Sequence, residues 1–221
     1  MNKKELMSST LYLARHGNRL DFVYPEWFNT APRKYDPPLS EDGKIQAQQL
    51  AQRLIKEKID YIVSSPFLRA IQTAHIVAEN LDLTIKLEAG LGEWHNQDWM
   101  SYPPEIHPRE ELEEIYPRID WNYSSLLTPI YPESEIEMLT RMKKTGELLV
   151  NNFQGNLLLI GHSMTILGIT NGLLRENRAI KASVCSLTKI VNREGHWQLE
   201  LETETSFLSE FDIKLSDGGG E

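Results

Sequence analysis

The feature that most constrains this chain is an exchange of two hydropathy rhythms along its length. Apolar runs of strand length occupy residues 11–14, 59–64, 83–87 and 156–160. Between them lie longer stretches whose apolar residues recur every three or four positions. Ala47, Leu50, Ala51, Leu54 and Ile55 form one such set, and Phe67, Ala70, Ile71, Ala74, Ala78 and Leu81 a second. Leu139, Met142, Leu149, Val150 and Phe153 form a third, and a further helix is expected over 164–174. Such spacing gathers the apolar side chains of a helix into one stripe. The helix starts are punctuated as well. Asp36-Pro37-Pro38-Leu39 is incompatible with helix, so Ser40 becomes the cap of a helix whose first turn, Glu41-Asp42, is acidic. Ser65-Pro66 is expected to open the next helix, with proline at the first helical position, where its missing N–H costs nothing. Ser134-Glu135-Ile136-Glu137 fits a capping box.

Strands that alternate with helices imply an α/β fold: a three-layer sandwich with a mostly parallel central sheet flanked by helices. The runs 184–191 and 197–202 flank Asn192-Arg193-Glu194-Gly195 and predict an antiparallel C-terminal hairpin. A single domain is expected over 1–221, with residues 1–8 and 216–221 as flexible ends. Residues 94–132, aromatic and proline-bearing, are expected to form loops and short helices over one end of the sheet. Within them, Arg109-Glu110-Glu111-Leu112-Glu113-Glu114 reads as a solvated helix face.

Composition serves here to exclude. A net charge of −9 argues against a nucleic-acid partner, because phosphate-backbone binding needs a basic face. It leaves room for a small phosphorylated substrate held by a local arginine cluster. No apolar run approaches the roughly 20 residues that cross a bilayer, so no membrane partner is expected. Met1-Asn2-Lys3-Lys4-Glu5 lacks a signal-like stretch, and a cytoplasmic location is expected. The one cysteine, Cys185, excludes an internal disulfide and any cysteine-based metal cluster. It lies in a strand-like run and reads as a plain buried thiol. His75, His95, His107 and His196 show no ligand spacing, so no metal is expected.

In sheets of this kind ligands sit beyond the carboxyl ends of the strands. Three polar groupings fall there: Arg15-His16-Gly17, Ser65-Pro66-Phe67-Leu68-Arg69, and Gly161-His162-Ser163. Phosphoryl transfer needs forked cationic donors for the non-bridging oxygens, a nucleophile in line with the leaving oxygen, and an acid to protonate that oxygen. Arg15 and Arg69 supply charge, and His16 and His162 supply imidazoles. Gly17 allows a sharp turn that brings backbone N–H groups near an anion. Glu93, in Gly90-Leu91-Gly92-Glu93-Trp94, follows a strand and is the candidate acid; Glu26, Asp98 and Glu105 are alternatives on loops.

Leu13-Ala14-Arg15-His16-Gly17 resembles the signature of the histidine phosphatase superfamily, the phosphoglycerate-mutase-like proteins. Further segments match in order: Pro38-Leu39-Ser40-Glu41-Asp42-Gly43 with Gln46-Ala47; Ser64-Ser65-Pro66-Phe67-Leu68-Arg69 with Gln72-Thr73-Ala74; Leu91-Gly92-Glu93-Trp94; and Leu158-Leu159-Ile160-Gly161-His162. The resemblance implies that His16 is the phosphorylated nucleophile and Glu93 the proton donor, with Arg15, Arg69 and His162 around the phosphate. Arg19, followed by Leu20-Asp21-Phe22, is similar to the second arginine of the Sts-type tyrosine phosphatases and the ecdysteroid-phosphate phosphatases of insects. That likeness implies a phosphate contact for Arg19. Acid phosphatases and phytases take their acid from an aspartate after the second histidine, where this chain has Ser163. Mutases carry Glu-Arg-x-Tyr-Gly where this chain has Glu93-Trp94-His95-Asn96. Both departures favour a branch 1 phosphatase.

The expected activity is therefore hydrolysis of a small phosphomonoester through phosphohistidine, without metal or cofactor. An aryl or apolar ester is suggested by Trp27, Trp94, Trp99, Tyr102, Trp121 and Tyr123, although packing of the long loops explains these aromatics equally well. A phosphoprotein stays open as a substrate, as does the oligomeric state. Three rivals remain at this level. A mutase would transfer the phosphoryl group. A serine esterase would use Gly161-His162-Ser163-Met164-Thr165 as a nucleophile elbow, with Glu176 and His196. A non-catalytic domain would bind a phosphorylated ligand only.

Overall fold

The computed structural model describes residues 9–209, so the expected flexible ends, 1–8 and 216–221, lie outside the described residues. The period-two pleat of the strands sorts their apolar side chains into two layers. On β1 (Thr10–Arg15), Tyr12 and Ala14 face one core while Leu11 and Leu13 face the other. After β1 come two one-turn helices, α1 (Leu20–Val23) and α2 (Trp27–Thr30), and then α3 (Glu41–Leu54). Next are β2 (Tyr61–Ser64), α4 (Leu68–Leu81), β3 (Ile85–Leu87) and the short α5 (Arg109–Leu112). The chain continues through α6 (Glu135–Asn152), β4 (Asn156–Gly161) and α7 (Ser163–Leu174) to β5 (Leu187–Arg193) and β6 (His196–Glu204).

Among the described residues the strands form one six-stranded sheet in the order β3-β2-β4-β1-β5-β6. β3, β2, β4 and β1 run parallel, while β5 and β6 are antiparallel additions. Helices α3 and α4 pack on one face through Leu50, Leu54, Ala70 and Ile71. Helices α6 and α7 pack on the other through Met138, Met142, Ile166 and Ile169. This is the expected three-layer α/β sandwich with its C-terminal hairpin. No described helix is long and apolar enough to cross a membrane.

The caps follow the sequence in two places. Ser40 Oγ accepts from the Gly43 N–H at 3.2 Å, and Ser134 with Glu137 forms the full capping box. Pro66 departs from expectation. Helix α4 begins at Leu68, because extended Phe67 is drawn into the core and the first helical N–H, of Leu68, is bound by Asp36 Oδ1 at 2.6 Å. The cap thus comes from the segment between α2 and α3 instead of from the local sequence. Cys185 is buried as expected but lies in a turn with φ 52, not in a strand. Its N–H donates to the carbonyl of His16 at 3.1 Å, and β5 starts two residues later. Glu194 and Gly195 both have positive φ (56 and 89), the two-residue reverse turn that matches strand twist and joins β5 to β6.

Candidate active site

Parallel pairing of β1 with β4 sets Arg15 opposite Gly161, and the His16 N–H donates to the Gly161 carbonyl at 3.0 Å. The next residue on each strand is a histidine, so His16 and His162 arrive side by side, ring centroids 5.2 Å apart. β2, on the other side of β4, ends at Ser64, and the Ser65 hydroxyl lies 2.9 Å from His162 Nε2. Arg69, in the first turn of α4, then reaches across both imidazoles. Its Nε donates to His16 Nε2 at 3.3 Å, and its Nη2 donates to Glu93 Oε2 at 3.3 Å. His162 Nδ1 is 3.2 Å from that same carboxylate oxygen. His16, Arg69 and His162 are each at most 1% exposed.

The partners of His16 assign its proton. His16 Nδ1 lies 2.7 Å from the Gly17 carbonyl and must carry the hydrogen, which leaves the Nε2 lone pair to accept from Arg69. His162 Nδ1 lies between the Glu93 carboxylate at 3.2 Å and Arg69 Nη2 at 3.3 Å, and its Nε2 pairs with the Ser65 hydroxyl at 2.9 Å. Burial, then Arg69, His162 and Arg15, holds His16 well below the usual imidazole range. Burial likewise lowers His162 to about 4, against the pull of Glu93. Both rings are therefore neutral near pH 7. Burial opposes the charge on Glu93, but His162 and Arg69 outweigh it and keep the carboxyl well below the carboxylate norm. Arg69, lowered to about 10 by burial and by Arg19, stays cationic.

The remaining arginines gather at the same end. Arg15 Nη1 donates to the Ala182 carbonyl at 2.8 Å, and its buried Nε has no partner among the described residues. Arg19 is near enough to lower both Arg15 and Arg69. Its Nε and Nη2, however, grip the two oxygens of buried Asp21, and its guanidinium lies 4.4 Å from the Phe22 ring centroid. Arg15, His16, Arg19, Arg69, Glu93 and His162 thus all converge. Glu26, Asp98 and Glu105 are exposed on their loops.

The family profile described as histidine phosphatase superfamily (branch 1) matches residues 11–205. The chain belongs to this family. Among its relatives is the transcription factor tau 55 kDa subunit of Saccharomyces cerevisiae, 30% identical over 91% of this chain and 52% of that protein. The ecdysteroid-phosphate phosphatase of Drosophila melanogaster is 29% identical over 86% of this chain and 31% of that protein. The chain therefore spans about half and about a third of these relatives' lengths. A solved structure of an ecdysone phosphate phosphatase from Bombix mori, in complex with tungstate, superposes with a TM-score of 0.72 at 23% identity, covering 86% of this chain and 91% of that one. That likeness establishes the fold.

Within this branch 1 fold the glycine of the signature acts differently from expectation. The Gly17 N–H is taken by Thr73 Oγ1 at 3.1 Å, so it is already paired. A Cβ on Gly17 would stand 2.4 Å from the Gly43 carbonyl oxygen, so the glycine serves the close approach of this loop to the start of α3. Gln46 and Gln72 are likewise braces, accepting the N–H groups of Asn18 and Leu39 at 2.8 and 2.7 Å. The esterase triad is not assembled. Ser163 lies beyond the carboxyl end of β4, whereas His196 opens β6 past the amino end of β1, more than about 20 Å away at roughly 3.3 Å per strand residue. Among the described residues no group of three His, Cys, Asp or Glu side chains could hold a metal ion.

Sequence reasoning missed three contributors. Asp36 caps α4 and lies 3.9 Å from Arg69 Nη1, and Asp21 orients Arg19. Arg141 grips the backbone around Glu93. Only the last left a readable signal: with Met138, Met142 and Thr145 it sits on the buried stripe of α6, where a charged residue is out of place.

Proposed function

We propose that this branch 1 protein is a phosphomonoesterase that works through a phosphohistidine at His16. One observation carries the reading: a buried, neutral imidazole whose Nε2 lone pair faces a buried arginine, which in turn holds a carboxylate and a second imidazole. The phosphoryl oxygens would take the donors of Arg69 and Arg15, whose unpartnered Nε is the kind of buried group an anion satisfies. Arg19, aimed by Asp21, would add a third guanidinium. These cations supply the charge stabilisation on which phosphoryl transfer depends.

Glu93 is ionised in the unliganded site, and a proton donor cannot start that way. An arriving phosphate dianion supplies the remedy, because negative charge beside a carboxylate raises its affinity for a proton. His16 Nε2 then attacks phosphorus, the P–O bond to the leaving group breaks, and the Glu93 proton passes to the departing oxygen. In the second half the Glu93 carboxylate takes a proton from water, whose oxygen attacks phosphorus. The N–P bond breaks, and inorganic phosphate and free His16 are released.

A small aryl or otherwise apolar ester fits the surroundings best. Tyr35, whose carbonyl accepts from Arg69 Nη1 at 3.4 Å, packs its ring on half-exposed Tyr102, and Trp99 stands exposed against Trp94. The name of the Drosophila relative, an ecdysteroid-phosphate phosphatase, points to the same class. The test is rapid acid and alkaline quenching during turnover of p-nitrophenyl phosphate, beside a panel of aryl, steroid and sugar phosphates. Phosphate should be found on the protein, stable in alkali and labile in acid. Absence of both turnover and phosphoprotein would overturn the reading. Ser163→Ala is expected to keep turnover of wild-type order in the same assay, whereas a serine esterase would be silenced by it.

A further inference from the structure

The segment that delivers Glu93 is held by its backbone. Arg141 projects from the buried face of α6 and commits every N–H of its guanidinium. Its Nε donates to Glu133 Oε1 at 2.5 Å and its Nη2 to Glu133 Oε2 at 2.7 Å. Nη1 donates to the carbonyls of Gly90 and Gly92 at 2.8 and 3.1 Å, and Nη2 to the carbonyl of Glu93 at 3.1 Å. The carbonyl between them, of Leu91, accepts from Thr165 Oγ1 at 3.1 Å, and that hydroxyl also accepts the His162 N–H at 3.1 Å. Side chains of α6 and α7 therefore fix all four carbonyls from residue 90 to residue 93. Glu133 closes the far side: its carboxylate accepts the His95 N–H at 3.2 Å and its carbonyl accepts Trp94 Nε1 at 2.9 Å.

Stability alone does not account for this arrangement. A buried ion pair is weak evidence for stability, since well-packed apolar side chains often do as well. What a guanidinium adds is direction: a planar fork with five donors fixes several acceptors at once. Here the acceptors are the backbone on which one carboxylate rides. We infer that Arg141, seated on Glu133, is a positioning residue that holds the Glu93 carboxyl where it can protonate the leaving oxygen. The inference rests on the phosphatase reading above. Misplacing a reacting group by about 1 Å can cost on the order of 10²-fold, and general acid catalysis as a whole contributes about 10²–10⁴-fold. That loss falls on leaving groups that need a proton, such as phenolate, and spares p-nitrophenolate, a much weaker base.

The experiment compares kcat/KM for phenyl phosphate and p-nitrophenyl phosphate, two substrates of similar shape, in the wild-type protein and in Arg141→Gln. Because kcat/KM reports the steps through departure of the leaving group, it isolates the protonation. The ratio of the two values is expected to move by about 10- to 10²-fold against phenyl phosphate. An equal loss on both substrates, the signature of a merely structural role, overturns the inference. Arg141→Lys keeps a charge facing Glu133 but presents its donors from a single nitrogen and not from a planar fork that spans the three carbonyls, and its ratio should fall between the two. It carries the same test should Arg141→Gln fail to fold. A wild-type protein that hydrolyses neither ester would refute the phosphatase reading itself, before any variant is made.

Discussion

Replacing His16 with alanine is expected to abolish protein-bound phosphate and to lower turnover on the order of 10⁴–10⁶-fold, the scale for deleting the nucleophile of a covalent mechanism. The expectation follows from the protonation pattern. Nδ1 is committed to the Gly17 carbonyl at 2.7 Å, so Nε2 is the only ring atom with a lone pair, and it faces Arg69 Nε at 3.3 Å. His162, the other buried imidazole, is not placed to substitute: its Nδ1 is held between Glu93 and Arg69 Nη2, and its Nε2 pairs with the Ser65 hydroxyl. The variant should still bind phosphate, because Arg15 and Arg69 remain. Rapid-quench labelling with a phosphomonoester, paired with equilibrium binding of inorganic phosphate, separates lost chemistry from lost fold. Wild-type turnover in His16→Ala would remove the mechanism. Binding without turnover or labelling is the result that the geometry requires.

The sheet was legible in the sequence because its signals are local. Leu11 to Ala14 can only be a buried strand, and the Ser40 cap and the Ser134 capping box form within one turn of the residues that announce them. The two histidines were legible for a related reason: each directly follows a buried strand, and parallel pairing of β1 with β4 then sets them side by side. What escaped was every contact made at long range. Asp36 caps a helix that starts 32 residues later, so nothing beside Leu68 announces it, and by sequence Pro66 looks like the opener in its place. Arg141 meets Gly90 across 51 residues of sequence. Gly17 looks like an anion-binding turn in the sequence because its partners, Gly43 and Thr73, come from two separate helices. The charge of Glu93 was equally hidden: it is set by Arg69 and His162, which the chain brings together only after folding.

Arg69→Gln is expected to lower kcat/KM about 10²–10³-fold, the usual range for one preorganised donor to developing charge. It should also move the acidic limb of the pH profile to higher pH, and the sign follows from what the guanidinium does to His16. Beside a buried cation the protonated imidazole is disfavoured, so Arg69 helps to hold His16 well below the usual range. Without it the imidazole gains a proton at a higher pH, and the neutral nucleophile is lost sooner as the solution is acidified. Glu93 moves the same way, because a cation that keeps its carboxyl ionised is gone. Arg69→Lys should restore the acidic limb further than it restores the rate. Lysine returns the charge near His16 but cannot reach Nε2, the Glu93 carboxylate and a phosphoryl oxygen from one planar fork. Profiles of kcat/KM against pH for the two variants make the distinction. An unmoved acidic limb in Arg69→Gln would mean that burial alone keeps His16 neutral and that the arginine acts only on the phosphate.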